Sequence, residues 1–218
     1  MFSAKTEEFL ENRVNNPEQQ AYFDKRAAVW DQISVHDQRK VEHIADLLAV
    51  RPDDRVLDVG TGTGVMIPHY LSRLGRDGHV TALDYSPKML AAAAAKYPPS
   101  PQLDYVTQDL YTLTAGPRYD LVVCYSCFPH FPDPLKAIQV LAGTLVPGGR
   151  LWIAHSTSKE HINCVHRDGG AEINRDFLPD MTVMKELFHS VGLIVQQAED
   201  DAEYYLIGGI LTHCPVQQ

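Results

Sequence analysis

The sequence is short of positive charge. Lys and Arg number 19 against 28 Asp and Glu, a formal net charge of −9 at pH 7 over 218 residues. Nucleic-acid binding needs a basic surface that neutralises phosphates, so the deficit argues against a nucleic-acid partner. No apolar run approaches the roughly 20 residues of a membrane-spanning helix. The opening Met1-Phe-Ser-Ala-Lys-Thr-Glu-Glu has no apolar signal-peptide core, so the expected location is the cytoplasm. Four cysteines (Cys124, Cys127, Cys164, Cys214) in a chain this long do not make a disulfide scaffold. Cys124 and Cys127 stand at Cys-x-x-Cys spacing, but Cys124 belongs to an apolar strand, which disfavours a redox pair.

The 44 % hydrophobic and 22 % charged fractions are those of an ordinary globular protein, and the length suits one domain with a sizeable core. The organising stretch is Arg55-Val-Leu-Asp-Val-Gly-Thr-Gly-Thr-Gly-Val65. Val56, Leu57 and Val59 read as a buried strand, and Gly60, Gly62 and Gly64 make a turn where a ligand can lie against main-chain N–H groups. Asp58 ends the strand, where a buried charge needs a partner. A second strand, His79-Val-Thr-Ala-Leu-Asp84, ends in another carboxylate, followed by Ser86-Pro87 at the start of a helix. A carboxylate about 20 residues past a glycine turn is the expected ribose-hydroxyl acceptor of a nucleotide-type α/β fold. No Gly-Lys-Ser/Thr follows the loop, so phosphate binding of the P-loop kind is excluded, and the spacing differs from the dinucleotide Gly-x-Gly-x-x-Gly.

Strands are expected at 55–59, 79–83, 103–106, 119–125, 149–155, 193–199 and 203–211, with helices near 63–75, 87–96, 133–145 and 181–191. The alternation predicts a doubly wound sheet, and the short turn at Asp200-Asp201 makes the last two strands antiparallel. Residues 1–48 read as helical, with Val29, Trp30, Ile33, Val41, Ile44, Leu47 and Leu48 near helical spacing. Asn15-Asn16-Pro17 breaks this region, with Pro17 suited to the first turn of a helix.

Asp-x-Gly-x-Gly-x-Gly with a second acidic strand end resembles motif I of the class I S-adenosylmethionine (SAM) dependent methyltransferases. The likeness runs from about Asp54 to Leu211 and closely matches the small-molecule branch that includes the ubiquinone/menaquinone-biosynthesis type. The resemblance implies a mostly parallel, Rossmann-like sheet of seven strands with a final antiparallel hairpin. It also implies an N-terminal helical cover (1–48) closing over a SAM-binding methyltransferase domain (49–218). Its cofactor residues would be Asp58, Gly60, Thr61, Gly62 and Gly64 for the amino-acid part and Asp84 for the ribose. Tyr85 would be an adenine wall, with Asp109 and Leu110 at the adenine. The other reading of Asp109 is a helix N-cap. Tyr125-Ser-Cys-Phe-Pro-His-Phe-Pro-Asp-Pro134 resembles the family's loop beside the reacting methyl, with Tyr125 or Ser126 touching the cofactor. Val146-Pro-Gly-Gly149 is a tight turn, and Tyr22, Phe23 and Trp30 are candidates for a share of the pocket.

Past the fifth strand, His155-Ser-Thr-Ser-Lys-Glu-His-Ile-Asn-Cys-Val-His166 reads as a histidine-rich loop on the acceptor side. His155, His166 and Asn163 are the candidate catalytic residues, because His titrates near working pH; His130 and His69 carry less weight. His155, His161, Cys164 and His166 are candidate ligands for a divalent metal, although the spacing is no standard zinc signature. A solvated polar loop is the third reading. The expected activity is methyl transfer from SAM to a small-molecule acceptor, which includes a metal- or thiol-containing one. A SAM- or metal-binding module without transfer and a nicotinamide oxidoreductase are the rivals. Oligomeric state is open.

Overall fold

The computed structural model describes residues 2–12, 18–114, 116 and 118–212; the Asn15-Asn16-Pro17 break and Cys214 lie outside them. Its strands are β1 (Arg55–Val59), β2 (His79–Asp84), β3 (Leu103–Thr107), β4 (Tyr119–Tyr125), β5 (Leu145–His155), β6 (Leu193–Asp200) and β7 (Tyr205–Leu211). They form one seven-stranded sheet in the order β3-β2-β1-β4-β5-β7-β6. Pairing is parallel from β3 through β5, and β7 runs antiparallel to both β5 and β6. The order reverses at β1, which lies between β2 and β4, and such a switch point leaves a crevice at the carboxyl ends of the strands.

Successive strand residues feed opposite faces. Leu57, Val122, Ile153 and Ile207 join one core cluster, while Val56, Val123, Trp152 and Leu206 join the other. Near-continuous apolar strands are what a sheet covered on both faces requires. Burying each of these Val or Leu side chains contributes about 1.5–3 kcal/mol. Helices Pro134–Thr144 and Met181–Ser190 cover the first face; Gln38–Leu47, Ile67–Leu71 and Pro87–Lys96 cover the second. Ser86 and Asp133 cap their helices through Met89 N and Lys136 N, each with proline in the first turn, as the Ser-Pro and Asp-Pro pairs predict.

Three expectations need correction. The helix expected over 63–75 forms only at Ile67–Leu71. Gly60, Gly62 and Gly64 all hold positive φ, Gly64 at +85°, so the chain cannot enter a right-handed helix until past Val65. The tight turn at 146–149 falls inside β5, where Leu145 pairs with Tyr119 and Arg150 with Leu121, so the intervening residues bulge from the ladder. The stretch read as a loop after β5 is largely a helix, Lys159–Arg167, capped by the Ser158 side chain accepting from His161 N.

The N-terminal residues divide by destination. Helix Ala4–Glu11 docks on the Met181–Ser190 helix, where Ser3 N donates to Glu186 at 2.9 Å. Gln38–Leu47 belongs to the core beneath the sheet. The segments Gln19–Arg26, Ala27–Val29 and Trp30–Ile33 lie at the carboxyl edge of the sheet.

Candidate active site

A cleft opens at the carboxyl ends of β1, β2, β3 and β4. Its floor is the glycine turn Gly60–Thr63; Asp84 and Tyr85 line it after β2, Gln108, Asp109 and Leu110 after β3, and Tyr125, Ser126 and Cys127 after β4. Gly60 has φ +65°, and a Cβ there would sit 2.7 Å from the Cβ of Cys127, so only glycine fits. Ser126 also adopts a left-handed φ of +56° at the end of β4, which for a side-chain-bearing residue is local strain at the cleft.

Asp84 holds the turn. One carboxylate oxygen accepts from Gly62 N at 2.8 Å and the other from Ser86 N at 2.9 Å. Burial raises its pKa above the ordinary carboxylate value, against the lowering effect of those backbone donors. Asp109 caps the turn Leu110–Thr112 by accepting from Tyr111 N at 2.9 Å, and it lines the cleft.

Asp58 sits elsewhere. It is buried beneath the turn, accepting from Thr61 Oγ1 and from Tyr70 OH at 3.0 Å, and it does not line the cleft. Burial pushes its pKa up to about 6. Gly64 likewise lies off the cleft, packed against Ile67, Ala93 and Tyr97. Asp58 and Gly64 therefore shape the turn from behind.

The cover closes the cleft from above. Gln19, Phe23 and Trp30 line it, whereas Tyr22 packs behind Phe23, with ring centroids 5.3 Å apart. Phe23 meets Tyr85 and His130 edge-on at 6.2 and 5.0 Å. Polar latches tie the cover down: Ser86 Oγ donates to Asp24 at 2.6 Å, Lys96 to Asp31 at 2.6 Å, and Thr63 Oγ1 also to Asp31. His36 Nδ1 meets Tyr125 OH at 2.8 Å, and that hydroxyl also meets Ser156 Oγ at 2.8 Å. Gln19 and His36 were not singled out in the sequence, because only the fold brings an N-terminal segment to these strand ends.

The candidate acceptor residues disperse. On the Lys159–Arg167 helix His161 and Cys164 face solvent, while His166 is buried and donates from Nδ1 to Asp176 O, since a carbonyl only accepts. Asn163 is spent on the backbone of Leu178, donating to its O at 3.1 Å and accepting from its N at 2.8 Å. His155 is 2 % exposed and its Nε2 has no partner among the described residues. Burial first, then the neighbouring His166, His130 and His36, depress its pKa to about 3. The expected metal set is thus split between surface and interior by the helix. Among the described residues no group of three or more His, Cys, Asp or Glu side chains is placed to hold a metal ion. Cys124 and Cys127 are both free buried thiols, and Cys127 donates to Val59 O at 3.0 Å.

Residues 56–149 match a family model described as a methyltransferase domain. This stretch, running from β1 into β5, is similar to methyltransferase domains. A ubiquinone biosynthesis O-methyltransferase of Xanthomonas campestris pv. campestris is 36 % identical over 118 residues, covering 53 % of this chain and 48 % of that protein. The chain therefore spans about half the length of the curated relatives it matches. The N-methyltransferase NodS of Bradyrhizobium japonicum, solved with S-adenosylhomocysteine (SAH), superposes with TM-score 0.69 at 14 % identity over 90 % of this chain and all of that one. The [4+2]-cyclase SpnF superposes with TM-score 0.71 at 16 % identity, covering 91 % and 97 %. No helix among the described residues is long and apolar enough to cross a membrane.

Proposed function

We propose that this protein is a methyltransferase that binds SAM in the cleft and transfers its methyl group to a hydroxyl of a small-molecule acceptor. The observation that carries the reading is the charge of the cleft. Among the described residues Asp84 and Asp109 line it and no Lys or Arg does, which suits a ligand bearing an ammonium and a sulfonium and disfavours a pyrophosphate. The same charge disfavours the nicotinamide rival. Backbone N–H groups of the glycine turn and the carboxylate of Asp84 would hold the amino-acid and ribose parts, with Tyr85, Met89 and Leu110 beside the adenine. Bound there, SAM supplies an activated methyl group. The protein's share is alignment and exclusion of water by Phe23, Trp30 and the latched cover. The curated relatives' name points to oxygen as the accepting atom. Because a cyclase has the same fold, binding alone does not establish transfer. The test is calorimetric titration with SAM and SAH, followed by transfer of labelled methyl into an extract of the native host with product identification. Micromolar binding and a labelled methyl ether are expected. Folded protein that ignores SAM at millimolar concentration, or binds it and labels nothing, would overturn the reading.

A further inference from the structure

Methyl transfer to a hydroxyl leaves a proton to be removed, and a sulfonium methyl donor cannot accept it. A phenol-like hydroxyl has a pKa of about 10, so a base is needed at neutral pH. The cleft's titratable groups are mostly committed. Both oxygens of Asp84 accept backbone N–H groups, Asp109 caps the turn after β3, and His36 is shared with the Tyr125 hydroxyl. Burial pushes Tyr125 up to about 12, and Cys127 is also pushed up, first by its hydrogen bond with Cys124.

His130 differs. It closes the short turn Phe128–His130 after β4, lines the cleft, and keeps 16 % of its side chain exposed. Its Nδ1 lies 2.7 Å from Oδ2 of Asp176, a carboxylate only 5 % exposed. A carboxylate accepts and does not donate, so the imidazole proton sits on Nδ1 and the lone pair on Nε2. No other imidazole lining the cleft among the described residues is hydrogen-bonded to a carboxylate. Asp176 is held in turn: the same oxygen accepts from Gln19 Nε2 at 2.7 Å, and Gln19 Oε1 accepts from Tyr85 OH at 2.9 Å. The cover thus contributes a residue to the array.

We propose that His130 is the general base for the acceptor hydroxyl, with Asp176 as the positioning residue that fixes its tautomer and Gln19 holding Asp176 from the cover. The proposal rests on the methyl-transfer reading. In the step, the hydroxyl proton passes to Nε2 of His130 as the acceptor oxygen bonds to the methyl carbon. The carbon–sulfur bond breaks with its electron pair going to sulfur, which becomes neutral. The imidazolium, stabilised by Asp176, then returns its proton to water. The ionisable groups around His130 are Asp176 and Asp84, with His166, whose ring centroid is 4.9 Å away, and His155, which burial keeps neutral.

The experiment compares wild type, His130→Gln and Asp176→Asn with labelled SAM and two probe acceptors. These are catechol and 4-nitrocatechol, whose hydroxyl ionises near neutral pH without help. SAH affinity by calorimetry should stay within about twofold in both variants, which shows that they are folded with an intact cofactor cleft. On catechol, kcat of His130→Gln should fall roughly 100-fold or more. On 4-nitrocatechol the loss should shrink to less than about tenfold, because the proton is already gone. In Asp176→Asn the acidic limb of the pH–rate profile should move to lower pH, since the imidazolium loses its carboxylate. Nitrogen-15 NMR of labelled histidine should show His130 as the Nδ1–H tautomer in wild type. An active wild type whose His130→Gln variant loses both acceptors alike, or neither, overturns the base alone, as does an Nε2–H tautomer. A wild type that binds SAH yet labels neither catechol overturns the oxygen-acceptor assignment and the base with it.

Discussion

Asp58 carries a cost that should be measurable as a pH dependence of stability. Its carboxyl is buried under the glycine turn with two hydroxyl partners and no cation, and its pKa rises from the ordinary 3.8 to about 6. A raised folded-state value means that the native protein holds this proton more tightly than the unfolded chain does. The resulting stability is complete below pH 3.8, declines as pH rises, and is gone above pH 6. At ~1.36 kcal/mol for each pKa unit the loss across that window is about 3 kcal/mol. Asp58→Asn removes the ionisation and keeps a side chain of the same shape. The expected result, read by urea unfolding at a series of pH values, is a variant-minus-wild-type stability difference that grows by about 3 kcal/mol in the variant's favour between pH 4 and pH 7. Taking the difference cancels the other carboxylates, which both proteins share. Parallel pH profiles would refute the reasoning, because they would mean that Asp58 ionises freely and is not buried as described.

Asp84→Ala should weaken SAM binding by tenfold or more, since hydrogen bonds to a charged partner are worth ~1.5–3 kcal/mol; calorimetry giving an unchanged dissociation constant would exclude Asp84 from the cofactor contact. Gly60→Ala should lower the melting temperature and abolish SAM binding, because the left-handed φ and the 2.7 Å approach to Cys127 cannot both accommodate a methyl group; thermal unfolding unchanged from wild type would contradict that geometry. His155→Leu should resist acid better than wild type. The folded-state pKa of about 3, below the ordinary 6.5, makes the neutral ring's contribution complete above pH 6.5 and lost as pH falls towards 3, a loss of about 5 kcal/mol that the variant escapes.

What the sequence made legible was whatever depends on local chain direction. Alternating apolar strands and Ser-Pro or Asp-Pro helix starts placed β1 to β4 and the helices Pro87–Lys96 and Pro134–Thr144 within a residue or two. The cofactor side of the cleft followed, because in a doubly wound sheet the strand ends must converge: Gly60, Thr61, Gly62, Asp84, Tyr85, Asp109, Leu110 and Tyr125 all line it. The residues that did not converge are those whose side-chain direction depends on periodicity. Asp58 and Tyr70 are twelve positions apart, and the hydrogen bond that turns the carboxylate inward needs the short helix Ile67–Leu71 to bring the tyrosine back.

The acceptor side was misread for the same reason. Ser158 followed by a Glu160 in the first turn is a helix start, and Ile162 and His166, four apart, are the two positions that this helix buries. Once the segment is helical, His161 and Cys164 must face away from His166, so a shared metal shell is ruled out by the 3.6-residue period itself. The partners of His130 had no local signal at all. Asp176 lies 46 residues away and Gln19 is 157 residues from Asp176, so the array exists only when the cover, the strand-end turn and the segment after the Lys159–Arg167 helix are packed together. Chemistry assembled from three distant pieces of chain can be gated by any one of them. The cover enters this array through Gln19, which bridges Asp176 and Tyr85, and Gln20 beside it donates to Tyr85 O at 2.7 Å, so a shift of the cover moves the carboxylate that orients His130.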